Sequence, residues 1–192
     1  MKRLLIILSY TFLLSSENWV IKNYVNEFSD YTDTQYIANK SSFNGSFSNY
    51  ATNYSDLTVD FIIEEKRVNL KLYEYAGFNP VKDKNNDYKV SVSYDGKINY
   101  FKANIYNGKL KFKTRDSKKL IEILKKNSNV KFFIKNNYYS KYRFEVNTNG
   151  FNNVYNEYIK NNTTRFWDTD SGFTLVLLLI SFGWTIFIWS WS

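Results

Sequence analysis

The chain has 192 residues, a formal net charge of +8, and no histidine or cysteine. That combination excludes disulfides, nearly every zinc site, and any nucleophile–base pair that needs His or Cys. Tyr and Phe number 17 and 16 against 7 Gly and 1 Pro, a usage that favours pleated, half-buried surfaces and hence a mainly β chain.

The opening run MKRLLIILSYTFLLSSENW reads as an export signal. Lys2 and Arg3 precede an apolar stretch from Leu4 to Leu14, and Ser15, Ser16 and Glu17 end it. As a helix that stretch reaches about 16 Å, about half the hydrocarbon core of a bilayer. Residues 1–16 are therefore expected to be a signal peptide cut near Ser16. Leu14 stands where cutting after Ser16 prefers a small residue, so an uncleaved signal anchor stays open. Residues 17–160 are expected to form one exported domain.

Within that domain, Trp19 and Ile21 alternate along the chain, Asp30–Asp33 suggests a turn, and Gln35–Ala38 suggests a returning strand. Leu57, Val59, Phe61 and Ile63 share one face of a period-two run, and Val68, Leu70 and Leu72 share one face of the next. Together, 57–75 reads as a hairpin. Tyr88, Val90, Val92 and Tyr94 form another alternating run. Asp95-Gly96 then predicts a tight turn into a strand over 97–106, and Asn107-Gly108 a second turn into 109–113. A helix is expected over 117–126, capped by Asp116 or Thr114, with Leu120, Ile121, Ile123 and Leu124 on its apolar side. Strands follow at 130–135 and 142–146, joined through polar Asn136–Ser140. Phe151, Val154, Tyr155, Tyr158 and Ile159 then have the spacing of an amphipathic helix over 151–160. Short antiparallel strands with two marginal helices predict a β-sandwich or a curled, barrel-like sheet.

Residues 161–171 (NNTTRFWDTDS) read as a polar stalk. Residues 172–192 then run GFTLVLLLISFGWTIFIWSWS without a charged residue. As a helix they would extend about 31 Å, close to the thickness of a hydrocarbon core, so a transmembrane helix is expected there. Trp167 before it and Trp184, Trp189 and Trp191 within it are the expected residues of the membrane–water interfaces. Lys2 and Arg3 favour a cytoplasmic start, which places the domain on the extracytoplasmic side, periplasmic or at the cell surface. A competing reading makes the tail a lipid-anchor signal attached near Asn161–Thr163. It is compatible with N-x-S/T sequons at Asn39, Asn44, Asn53, Asn161 and Asn162.

The runs FSNYATNYSDLTVDFII (Phe47–Ile63), LKLYEY (Leu70–Tyr75) and NPVK (Asn79–Lys82), with the later KKLIEIL, VKFFI, YRFEV and GF, resemble a pattern of uncharacterised secreted bacterial proteins. An opening Trp and a late Gly-Phe before an amphipathic helix make the layout similar to invasion-associated locus B-like periplasmic proteins. The resemblance covers about 17–158 and implies a β-sandwich; it transfers no functional residue. Many members of that group carry cysteines, and this chain has none.

No G-x-G-x-x-G, P-loop or G-x-S-x-G occurs. Glu64 and Glu65 are adjacent and would face opposite sides of a strand. Asp30, Asp33 and Asp56 lack the frame of a calcium loop. No catalytic residue, metal or cofactor is expected. The charge is uneven: residues 17–96 carry a net of −4 and residues 97–145 a net of +11. Lys109, Lys111 and Lys113 fall on one face of a short strand, and Lys118, Lys119, Lys125 and Lys126 on the helix after it. These seven are the candidate surface for an anionic partner, with Tyr138, Tyr139 and Tyr142 as stacking surfaces. Export makes nucleic acid a poor fit. Anionic lipid head groups, envelope polysaccharide or an envelope protein are the expected partners, and the expected role is a membrane-tethered extracytoplasmic binding domain. The alternatives are a structural envelope protein assembling through its tail helix and a lipid-anchored surface protein.

Overall fold

A computed structural model of the chain describes residues 17–64, 66–75, 77–81, 87–137 and 139–167, with side chains to residue 162 in the last helix. Residues 1–16, expected as the signal, and the apolar stretch 172–192, with Trp184, Trp189 and Trp191, lie outside them. Among the described residues no helix is long and apolar enough to cross a membrane.

Alternation of apolar and polar residues fixes which face of each strand is buried. In β4 (Ser55–Glu64) the inward residues are Leu57, Val59, Phe61 and Ile63, and in β5 (Arg67–Glu74) they are Val68, Leu70, Leu72 and Glu74. The two strands pair from Leu57↔Glu74 to Glu64↔Arg67, the hairpin expected from the sequence. β6 (Tyr88–Tyr94) and β7 (Lys97–Tyr106) meet at Asp95-Gly96, and β8 (Lys109–Phe112) follows β7 through Asn107-Gly108. Both residues of each turn have positive φ, the geometry that lets a two-residue loop follow the twist of its strands. β9 (Asn129–Lys135) and β10 (Lys141–Asn147) form a third hairpin, in register from Lys141↔Lys135 to Asn147↔Asn129.

Chain closure decides the fold. β3 (Phe43–Ser48) pairs with β4 on one side and β10 on the other, and β5 pairs with both β4 and β8. The order β4-β3-β10-β9-β6-β7-β8-β5 therefore returns to β4, making a closed antiparallel barrel of eight strands. A sandwich, one of the two architectures expected above and the one implied by the resemblance, would leave two sheets with free edges; here the ring has none. Gly45 is one physical reason. A Cβ at that position would lie 2.2 Å from the Arg143 carbonyl oxygen and 2.7 Å from Cβ of Phe144, so the β3–β10 seam closes only around a residue without a side chain.

The barrel interior is filled. Phe61 sits among Trp19, Phe132 and Phe144 at ring-centroid distances of 5.5, 5.5 and 6.2 Å, and Phe132 and Phe144 stack at 4.9 Å. An eight-stranded barrel has just the width that side chains can fill, and burial of each such ring stabilises by about 1.5–3 kcal/mol. Near the loops at one end, Glu74 is the buried exception. Its Oε1 accepts from the Tyr142 hydroxyl at 2.9 Å, and its Oε2 is 3.5 Å from Nδ2 of Asn49. Burial pushes the Glu74 carboxyl up, and these two hydrogen bonds pull part of the way back. Burial, and then the neighbouring Glu74 charge, raises the Tyr142 phenol.

Both helices cover the opposite end. α1 (Thr114–Lys126) connects β8 to β9 and begins at Thr114, with Lys113 in the N-cap position and no side-chain cap. That corrects the expected caps: Thr114 and Asp116 are already helical. What anchors the start is Ser117, whose Oγ accepts the Val68 amide at 3.0 Å and donates to the Phe112 carbonyl at 3.3 Å. α2 (Phe151–Trp167) runs seven residues past the predicted end, so the first part of the stretch read as a stalk is helix, while 168–171 lie outside the described residues. Outside the ring, β1 (Trp19–Val25) pairs with β2 (Tyr31–Asn39), and β2 continues the line of β3 along one edge of β4 through Ile37↔Ile63 and Ala38↔Ile62. The turn between them spans 26–30; Asp30–Asp33, expected as the turn, lies mostly in β2. Trp19 ties this hairpin to the barrel. Its ring meets Phe151 at 4.8 Å, and its Nε1 donates to the Asn147 carbonyl at 3.1 Å.

Candidate functional site

A filled interior leaves the outside of the barrel as the place for recognition. On the outer face of β10, β9, β6 and β7 the register aligns four lysines. Lys141 is opposite Lys135, Lys135 is opposite Lys89, and Lys89 is opposite Lys102. Adjacent strands are about 4.8 Å apart, so four cations span only about 14 Å. Like charges directly opposite one another oppose folding, by roughly 0.2–1 kcal/mol per pair. Lys102 is offset by Asp87 at 2.7 Å; Lys89, Lys135 and Lys141 have no ion pair among the described residues. One position past the Ala103↔Phe112 pair lies exposed Lys113, which extends the basic line toward the helix end.

Beside this line is a groove of about 610 Å³. Its floor consists of small polar residues, Ser46, Ser91 and Ser93, and the ring of Phe133. Tyr100 and Ile98, 77% and 56% exposed, rise on the β7 side. On the β10 side the Arg143 guanidinium lies over Phe133 at 5.1 Å and over Tyr54 at 5.7 Å. Two aromatic faces thus hold a cation in place with its charge toward solvent. Within the groove Lys131 has Glu145 as its register partner on β10. The arrangement offers cations along one border and flat apolar faces along the other.

The lysines singled out from the sequence are dispersed. Lys111 stacks over Tyr106 at 4.4 Å, in depressions with Arg67. Lys119 lies 5.7 Å over Phe101. Lys125 is 3.2 Å from Glu122 and 5.5 Å over Tyr155, and Lys126 is 3.7 Å from Glu122. Lys109 is half-buried on β8, and Lys118 is exposed on α1. Of the seven, Lys113 is the one that falls in line with the basic row. Tyr139 meets Tyr50 in a tilted contact at 4.9 Å near the loop end, Tyr142 is buried in the barrel rather than offered as a stacking surface, and Tyr138 lies outside the described residues. Trp167 is the last residue of α2.

Sequence reasoning missed Lys89, Lys102, Lys135, Lys141 and Arg143 as a group because they come from four strands. The signal was present in their outward parity, but joining them requires the pairing of β6 with β9, which no local pattern encodes. Among the described residues no group of three or more carboxylates is placed to hold a metal ion.

No protein-family model matches the chain, and no curated protein or solved structure matches it.

Proposed function

We propose that the chain is a membrane-tethered extracytoplasmic binding module that takes an anionic envelope polymer along the outer face of β10, β9, β6 and β7. One observation carries the reading: the Lys141–Lys135–Lys89–Lys102 row, whose mutual repulsion weakens the fold and is relieved by a polyanion laid across it. The neighbouring groove, with Tyr100, Phe133 and the stacked Arg143, supports a ligand that has flat faces as well as charge, such as an acidic polysaccharide. The tether rests on the uncharged 172–192 stretch, and the side of the membrane on Lys2, Arg3 and the short apolar run after them.

The test uses the full chain in phosphatidylcholine nanodiscs, titrated with heparin as a polyanion probe. Saturable binding that weakens steeply with salt is expected. Binding that survives neutralisation of the row contradicts the site, and chain released from vesicles by carbonate contradicts the tether.

A further inference from the structure

The β1–β2 hairpin ends in an unusual tip. Val25, Phe28 and Tyr31 are 52%, 79% and 80% exposed within seven residues of chain, and none packs on the barrel. The tip is also built to leave few backbone donors bare. Oδ1 of Asn26 accepts the amides of Phe28 and Asp30, each at 2.9 Å, the Asn26 carbonyl accepts the Ser29 amide at 3.1 Å, and the Asn26 amide donates to the Asp30 carbonyl at 2.9 Å. A loop whose amides are already satisfied loses little on leaving water, whereas bare amides there cost several kcal/mol each.

α2 says what lies at that tip. Its first residue, Phe151, packs on Trp19 at the start of β1, and the Tyr158 hydroxyl donates to the carbonyl of Gln35, the partner of Asn23 further along β1. Asn162 lines one depression with Tyr24, Asp33 and Thr34. The helix therefore runs alongside β1 toward the tip. Its remaining turns to Trp167 add about 7 Å. Four residues separate Trp167 from the start of the uncharged 172–192 stretch. The described chain thus ends on the side of the domain that carries the exposed apolar tip.

We propose that the β1–β2 tip is a second membrane contact, with Phe28, Val25 and Tyr31 seated in the interface of the bilayer that the tail enters. The inference rests on the tethered reading and deepens it. Glu27, Asp30 and Asp33 flank the tip, so the contact favours zwitterionic over anionic lipid and stays at head-group depth. Two contacts, tail and tip, fix the orientation of the barrel. The loops at 136–140, where Lys135 and Lys141 begin the basic row, are then held away from the lipid, which leaves the row open to a polymer beyond the membrane.

The absence of native cysteine makes the test direct. Phe28→Cys and, at the β7–β8 turn, Asn107→Cys are each introduced into the full chain, labelled with a polarity-sensitive fluorophore, and reconstituted into phosphatidylcholine vesicles with and without a lipid-borne quencher. Circular dichroism verifies that both variants fold, position 107 being exposed but at positive φ, where Cys is strained. The label at 28 is expected to shift to the blue and to be quenched several-fold more than the label at 107, with the difference shrinking as phosphatidylglycerol replaces phosphatidylcholine. Equal, water-like emission at both positions in chain that still floats with vesicles overturns the tip contact and leaves the tether standing. Chain that does not float overturns both.

Discussion

The Tyr142 hydroxyl and Oε1 of Glu74, 68 residues apart in sequence, meet at 2.9 Å inside the barrel. This contact joins β10 to β5 across the lumen and places a carboxyl where ionisation is disfavoured, because burial raises its pKa above the ordinary value. In the window between the ordinary and the raised value, the folded chain holds a proton that the unfolded chain has lost. Stability therefore falls as pH rises through that window, and the penalty persists at neutral pH. Glu74→Gln keeps an acceptor for Tyr142 and removes the titration. The variant should match the wild type near pH 4 and melt higher by about pH 7. Thermal unfolding followed by circular dichroism across that range checks it; a difference independent of pH contradicts the assignment.

Gly45 should not tolerate a methyl group. Its Cβ would meet the Arg143 carbonyl, a backbone atom that cannot swing aside. Gly45→Ala is expected to destabilise by about 1–3 kcal/mol, read from denaturant midpoints, through opening of the β3–β10 seam. An unchanged midpoint would mean that the seam is looser than described.

Ser117 satisfies the buried Val68 amide from the first turns of α1. Ser117→Ala leaves that donor with no side-chain partner and should lower stability by about 1–3 kcal/mol, whereas Ser117→Thr, which retains the oxygen, should recover part of the loss. Denaturant melts of the two variants measure the difference.

The hairpins at 57–75, 88–106 and 129–147 were legible because alternation and the Asp95-Gly96 and Asn107-Gly108 turns are local signals. The burial of Leu57, Phe61, Leu70 and Val92 follows from the same parity. Closure was not legible. It depends on β3, whose FNGSFS sequence carries two rings among small and polar residues and was assigned no element from the sequence, and on a glycine that matters only because of Arg143, 98 positions later. The binding face was obscured for a related reason. Lys109–Lys126 is dense in sequence, but β8 and α1 turn its cations toward Tyr106, Glu122 and Phe101. The row that forms in space draws single lysines from four strands.

That row should trade stability against binding. Replacing Lys135, which faces both Lys89 and Lys141, by Gln removes two opposing pairs at once. Lys135→Gln is expected to leave the chain as stable as wild type or up to about 1 kcal/mol more stable, while weakening heparin binding. A loss of stability would indicate that the lysine stems, rather than the charges, matter for the fold.

The central claim is tested most directly by heparin affinity of the full chain in phosphatidylcholine nanodiscs, measured from about 0.05 M to about 0.5 M salt for the wild type and for the triple variant Lys89→Gln, Lys135→Gln, Lys141→Gln. The account predicts at least a tenfold weaker affinity and a shallower salt slope for the triple variant, with Lys118→Gln, Lys126→Gln as an unaffected control of similar exposure. Equal affinities for wild type and triple variant, or a larger loss in the α1 control, would contradict it.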